Sequence, residues 1–384
     1  MTAKKIIKRK GAVAKIIKRK GAVAKVEKEL IAAIKPIQPK KINPNELVPV
    51  GITTFHLECS GRVEGAFQMG TMVNLIGDSH AGKTLLALTV FAECAKLERF
   101  DHYSFKYRDI ERANEFDIPY LFGQAVADRI ESDEKDNLRT MEQFNDEMAN
   151  VFAAKQPCIY VLDSFDALTT EAALKLDAEN RKKRAKGQQT DGSYGDGKPK
   201  LFSEAMSKRG PELGNTKSLL IIISQVRTNI GFGSQFSPKL RSGGKALKFY
   251  AFHEVWLAQQ KKEKERKRTV VSNVQAKITK NKLTGRHGEA YFPVLFDYGI
   301  DDVTSCINFL VDEGNWTGTK GAINTQGFVE RKIVASTGKK KHKSRAEIIE
   351  EVETDGREGE LIQLCMDAYN AIIESLRPKR KRKY

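Results

Sequence analysis

The segment 77–84, GDSHAGKT, constrains this 384-residue chain more than any other. It fits G-x-x-x-x-G-K-[ST], and its flanks fit as well. The apolar run MVNLI precedes it, and TLLALTVFAECAK follows with helical character. Gly77 and Gly82 let backbone N–H groups turn inward on phosphate oxygens, with Asp78, Ser79, His80 and Ala81 supplying the backbone between them. The helix start adds the positive end of its dipole. Lys83 reaches the β- and γ-phosphates of ATP, and Thr84 places a hydroxyl on the accompanying Mg²⁺. A strand, a phosphate loop and a helix in this order commit the surrounding chain to an α/β sheet covered on both faces.

The patterning of residues 46–300 agrees. Apolar runs that read as strands are Met72–Ile76, His102–Tyr107, Cys158–Leu162, Leu219–Ser224, Glu254–Ala258, Val270–Thr279 and Glu289–Leu295. Helical stretches lie at Lys83–Lys96, Arg139–Ala154 and Phe202–Leu213. Alternation of the two predicts a mainly parallel twisted sheet flanked by helices, and the closely spaced later strands predict a mixed edge. CIYVLDSFDAL (158–168) is an apolar strand ending in Asp163. A carboxylate at that tip suits the Mg²⁺ shell beside a P-loop; its alternative is to cap the next helix. Residues 181–200 carry no apolar pattern and read as a mobile loop. Three regions result: 1–45, a basic arm with a helix and a linker; 46–300, the ATPase core; and 301–384, a small C-terminal α/β module with a basic tail.

Net charge is +17, and it is concentrated at the ends. Residues 1–45 hold fourteen Lys/Arg against Glu27 and Glu29, and 377–383 hold six with no acid. Cationic ends of this kind attract polyanions, nucleic acid foremost. KIIKRKGAVA stands at 5–14 and again, letter for letter, at 15–24. Two copies of ten residues are too few for a solenoid and read as a duplicated arm. KVEKELIAAIK (25–35) has helical spacing, with Val26, Leu30 and Ile34 on one face. No apolar stretch is long enough to span a membrane. The five cysteines have no paired spacing and read as reduced thiols in a cytoplasmic compartment. PKRKRKY at the C-terminus has the composition of a nuclear-import signal as well as of a DNA-binding tail.

Several segments, in order, resemble bacterial and bacteriophage RecA-type recombinases across roughly residues 48–310. They are VGITTFHLECSGRVEGAFQMG (50–70), GDSHAGKT, DIE (109–111), DSFDALT (163–169), SQVRTNIGFG…GGKALKFYA (224–251) and TKNKLTGRHGEAYFPVLFDYGI (279–300). The family's Gly-Gly-x-Ala-Leu-Lys-Phe-Tyr-Ala, matched at 243–251, is the most specific. The resemblance implies a DNA-dependent ATPase using ATP and Mg²⁺. It implies assembly as a helical filament on single-stranded DNA, homologous pairing with duplex DNA and strand exchange. Glu111 would be the general base, although KYR before DIE departs from the family, and its alternative is a surface acid. Gln225 would sense the γ-phosphate, with Ser224 where the family has Asn. Lys280 and Lys282 would reach the ATP of the neighbouring subunit; strand alternation puts both on one face. Lys248 and Phe249 would lie at the subunit contact.

Two segments would meet DNA. The first carries Arg181, Lys182, Lys183 and Arg184, cations able to neutralise phosphates. The second runs from Val226 to Ser242 and joins Arg227, Lys239 and Arg241 to Phe232 and Phe236, rings that can stack on or wedge between bases. Gly243 and Gly244 would turn the backbone at its end, with Lys245 following. Rival readings are a RecA-fold ring motor, a DNA-coating protein that has lost hydrolysis, and a nucleotide kinase. GGKALKFYA opposes the first, the intact P-loop with Glu111 the second, and the lack of an Arg-rich lid the third. The unusual arms favour a bacteriophage version.

Overall fold

The computed structural model describes residues 42–114, 116–132, 138–192, 197–228, 239–241, 244–319, 321–326, 328, 343–378 and 380. The duplicated arm and the helix expected at 26–35 lie outside them, as do Phe232, Phe236, Gly243 and most of the basic tail. The principal elements are α1 (Thr53–Ser60), β1 (Thr71–Gly77), α2 (Lys83–Ala95), β2 (Ser104–Asp109), β3 (Ile130–Ser132), α3 (Met141–Ala153), β4 (Cys158–Asp163), α4 (Glu171–Ala185), α5 (Lys198–Asn215), β5 (Leu219–Thr228), β6 (Lys239–Arg241), α6 (Gly244–Tyr250), β7 (His253–Glu265), β8 (Arg268–Asn281), β9 (Glu289–Leu295), β10 (Gly299–Ile300), α7 (Asp302–Asp312), α8 (Arg345–Thr354) and α9 (Glu358–Ser375).

One large sheet runs in the order β10-β9-β8-β7-β1-β5-β4-β2-β3, with β6 beside β5. From β7 through to β3 all neighbours are parallel, and from β7 to β10 all are antiparallel. The expected parallel sheet with a mixed edge is therefore what the chain forms. Buried strands alternate their side chains between two cores. Ile159 and Val161 of β4 join Leu219, Ile221 and Ile223 of β5 beneath α2 and α1. Tyr160, Leu162, Leu220 and Ile222 face Phe144 of α3, Phe202 of α5 and Leu247 of α6. A strand coated on both faces needs no polar alternation, which is why these segments read as unbroken apolar runs.

One polar pair interrupts them. The Ser224 hydroxyl donates to Asn74 Oδ1 at 2.8 Å, both residues fully buried on adjacent strands. A third core gathers Cys306, Leu310, Trp316, Ile348, Leu361 and Cys365 around Leu57 of α1. Asp302 at the start of α7 accepts from the Thr53 N–H and the Thr53 hydroxyl, each at 2.7 Å, which holds α1 on this core. No described helix is long and apolar enough to cross a membrane.

Parts of the two expected DNA-facing segments lie in regular structure. Residues 181–185 form the last turns of α4, not a mobile loop. That helix buries nothing, so apolar periodicity could not announce it. Local terms sustain it. Thr170 caps Ala173 N–H at 3.1 Å, Arg181 pairs with Asp177 at 2.7 Å one turn away, and three cations in the last turn oppose the dipole. The second segment is likewise not wholly flexible. Residues 226–228 and 239–241 pair as an antiparallel ladder between β5 and β6.

His56 is neutral and of known tautomer. Its Nε2 accepts the Val50 N–H at 2.8 Å, so Nδ1 carries the proton towards Val63 O, also at 2.8 Å. Burial lowers its pKa to about 4. Glu58, two residues on, is shifted the other way. Burial raises its pKa to about 7, Glu313 and Glu289 adding to the rise and Arg286 opposing it. A carboxyl with a raised folded-state pKa contributes stability below its unfolded value of 4.5 and loses it as pH rises through about 7. Glu58→Gln should therefore stabilise the fold at pH 8, by on the order of 1 kcal/mol after solvent screening, and give no gain near pH 4. Urea unfolding at the two pH values measures this; equal effects at both would refute the assignment.

Candidate nucleotide site

Gly77 ends β1 where there is no room for a side chain. A Cβ there would stand 2.5 Å from Leu257 O of β7 and 3.1 Å from Ala81 Cβ. Gly82 precedes α2 with φ of 84°, a left-handed conformation natural to glycine. Asp78, Ser79 and His80 are exposed along the loop between them. Lys83, in the first turn of α2, is buried, and its ammonium donates to Gly77 O at 2.9 Å and Asp78 O at 2.7 Å. Burial lowers its pKa, while the carboxylates of Asp163, Glu111, Asp78 and Asp166 pull the other way.

The carboxylates arrive on neighbouring strands. Asp109 and Asp163 are register partners at the ends of β2 and β4. The Thr84 hydroxyl donates to Asp163 Oδ2 at 2.6 Å, and Tyr107 Oη lies 3.3 Å from the same oxygen. Burial raises the Asp163 pKa to about 6; the Thr84 hydrogen bond lowers it, Asp109 and Glu111 raise it, and Lys83 lowers it. A hydroxyl and a carboxylate in contact, in a field of further carboxylates, are the oxygen donors that a hard cation such as Mg²⁺ takes. Asp163 is spent on Thr84 rather than on a helix cap: Ser164 is the residue preceding the short 3₁₀ turn that follows.

Glu111 sits just past β2, outside any helix. It accepts from the Ser164 hydroxyl and from Gln225 Nε2, the latter at 2.8 Å. Gln225 is the register partner of Gly77 across β1 and β5, and its N–H donates to Asp166 at 2.6 Å. Lys83, Thr84, Asp163, Glu111 and Gln225 are thus assembled at one end of the sheet. Ser164 and Asp166 were not singled out as site residues; the dense SFD after Asp163 was the only signal for them. An open cavity of about 670 Å³ adjoins the group, lined by Tyr107, Asp109, Arg112, Asn114, Phe116 and Asp117 among others.

The remaining residues lie elsewhere. Lys280, at the end of β8, donates to the carbonyls of Lys248 and Phe249. Lys282 lies beyond the strand, exposed in the turn, with its N–H on Phe252 O at 3.0 Å. β8 stops at Asn281, which is buried between the half-buried Lys280 and the exposed Lys282. Lys245, Lys248 and Phe249 are exposed on α6, Phe249 to 71%, and Gly244 opens that helix with φ of 68°. Lys183 pairs with Asp191, while Arg181 and Arg184 both reach Asp177. Arg227 lies on β5, and Lys239 and Arg241 on β6.

The sequence profile of the RecA N-terminal domain matches residues 18–301. Protein RecA of Caulobacter vibrioides is 28% identical over 314 residues, 77% of this chain and 81% of that protein. Protein RecA of Caulobacter sp. (strain K31) is 29% identical over 257 residues, 65% of this chain and 64% of that one. The mitochondrial DNA repair protein recA homolog of Dictyostelium discoideum is 29% identical over 252 residues, 65% of this chain and 51% of that one. The chain thus spans less than two thirds of the length of the latter two.

The crowding at Gly77 gives a direct test of the loop geometry. Gly77→Ala should lower unfolding stability by about 1–3 kcal/mol, the usual cost of overpacking, and weaken nucleotide binding together with it. A variant as stable as the parent in urea, and binding nucleotide normally, would show that β7 yields at Leu257.

Proposed function

The chain belongs to the RecA N-terminal domain family, and on that premise we propose that it is an ATP-dependent recombinase that forms helical filaments on single-stranded DNA. In this reading it pairs that strand with homologous duplex DNA and exchanges strands. The observation that carries the reading is the double hydrogen bond on Glu111, from Ser164 and Gln225. It ties a candidate general base to the strand that leads into the 226–241 segment.

Lys83, the loop N–H groups and Thr84 would hold the phosphates, and Thr84 with Asp163 would hold Mg²⁺. When bound, Mg²⁺ offsets the charge that builds on the phosphate oxygens as the γ-phosphate is transferred to water. Glu111 takes the proton of the attacking water. Ser164 and Gln225 fix the position of its carboxylate through the hydrogen bonds they donate. Gln225 also reports on the nucleotide: movement of its amide displaces β5, and β6 is laddered to the end of β5. Nucleotide state and the DNA-facing segment are thereby two ends of one strand. Lys280 and Lys282, with Lys248 and Phe249, form the contact with the adjoining subunit. Arg181, Lys182, Lys183 and Arg184, and the segment holding Arg227, Phe232, Phe236, Lys239, Arg241, Gly243, Gly244 and Lys245, meet DNA.

ATP hydrolysis measured with and without single-stranded DNA, with electron microscopy of the same samples, tests this. DNA should stimulate hydrolysis and support helical filaments, and Lys83→Ala should abolish both. Glu111→Gln should keep ATP binding within a few-fold and lower kcat by about 100-fold or more. Closed rings, or hydrolysis indifferent to DNA, would overturn the proposal.

A further inference from the structure

β7 and β8 outrun the sheet that contains them. The pairing of β7 with β1 ends at Leu257, opposite Gly77, and that of β8 with β9 ends at Val271, opposite Leu295. Lys264–Thr269 continue as a two-stranded ribbon, Lys264 facing Thr269 and Glu265 facing Arg268, with no third strand beside them among the described residues. Residues 261–268, KKEKERKR, hold six cations against Glu263 and Glu265. All but Glu263 are exposed. Alternation along β7 separates the charges: Lys262 and Lys264 fall on one face, Lys261, Glu263 and Glu265 on the other. One face is therefore cationic without an acid.

The turn carries a second signal. Arg266 and Lys267 join the strands with φ of 45° and 68°. Two left-handed residues in a two-residue hairpin call for Asn-Gly. Arg and Lys stand in their place, so charge is retained at the tip against local conformational preference.

We propose that this ribbon is a duplex-DNA contact that enters a groove and places its tip cations on the flanking phosphates. It rests on the reading of the chain as a DNA-handling ATPase and adds a site to it. The dimensions match. Two paired residues per strand, with one turn residue beyond each, give about 10 Å of free ribbon, against a major groove about 8.5 Å deep and about 12 Å wide, which admits a two-stranded ribbon. The same strand runs back to Leu257 against Gly77, about 23 Å along β7 from Lys264 at the usual strand rise.

Arg266→Asn with Lys267→Gly removes two cations and installs the dipeptide that the turn prefers, so the fold should persist with an unchanged or higher unfolding midpoint. Binding of the full chain to a labelled duplex is then titrated across salt. The Kd at about 0.1 M salt should rise roughly tenfold, and the slope of log K against log salt should become shallower by about 1.8, for two lost phosphate contacts. Lys262→Gln with Lys264→Gln should act in the same direction. Unchanged duplex affinity and slope in both variants would overturn the proposal. So would unchanged binding with new self-association in sedimentation, which would mean that the cations only guard an open strand edge. Wild-type hydrolysis on single-stranded DNA is run alongside: its absence would count against the recombinase reading alone, leaving the duplex result to stand.

Discussion

The candidate site depends on parallel strands held in one register. Gly77 on β1 is in register with Gln225 on β5 and Leu257 on β7, and Asp109 on β2 with Asp163 on β4. A parallel sheet brings together residues far apart in sequence by hydrogen-bond register alone. Its buried strands have no freedom to slip, because both faces are packed. Thr84, carried on α2 just beyond β1, comes to 2.6 Å from Asp163, 79 positions away. Glu111 and Gln225, 114 apart, come to 2.8 Å. The ends of such strands also collect polar groups without disturbing the apolar cores beneath.

What the residues revealed about the fold followed from burial. β4 and the start of β5 are apolar on both faces and were legible as strands almost to the residue. The same rule hid α4, which has no fully buried residue and owes its form to a cap, ion pairs and the dipole. It also hid the outer parts of β5 and β7, which run on into polar and charged residues as the sheet meets solvent.

The site was legible where chemistry demands a fixed residue type at a fixed spacing, as in the phosphate loop. It was less so where the demand is for a partner. Ser164 and Asp166 act on Glu111 and Gln225 through space, and nothing in the local pattern says which distant group each will meet. Tyr107 reaches the same Asp163 oxygen as Thr84. Identification of such groups needs the sheet order, which the sequence constrains only through the family it resembles.

The Ser224–Asn74 pair has a consequence for how this core can change. Each side chain is the other's partner in a place closed to solvent. Replacement of Asn74 by a hydrophobe strands the Ser224 hydroxyl, and replacement of Ser224 by alanine strands the amide oxygen; either costs the desolvation of an unmatched polar atom. Joint replacement by two apolar residues of similar volume removes both demands. The two positions therefore behave as a single mutational unit, crossing from polar to apolar together or not at all, although 150 residues separate them.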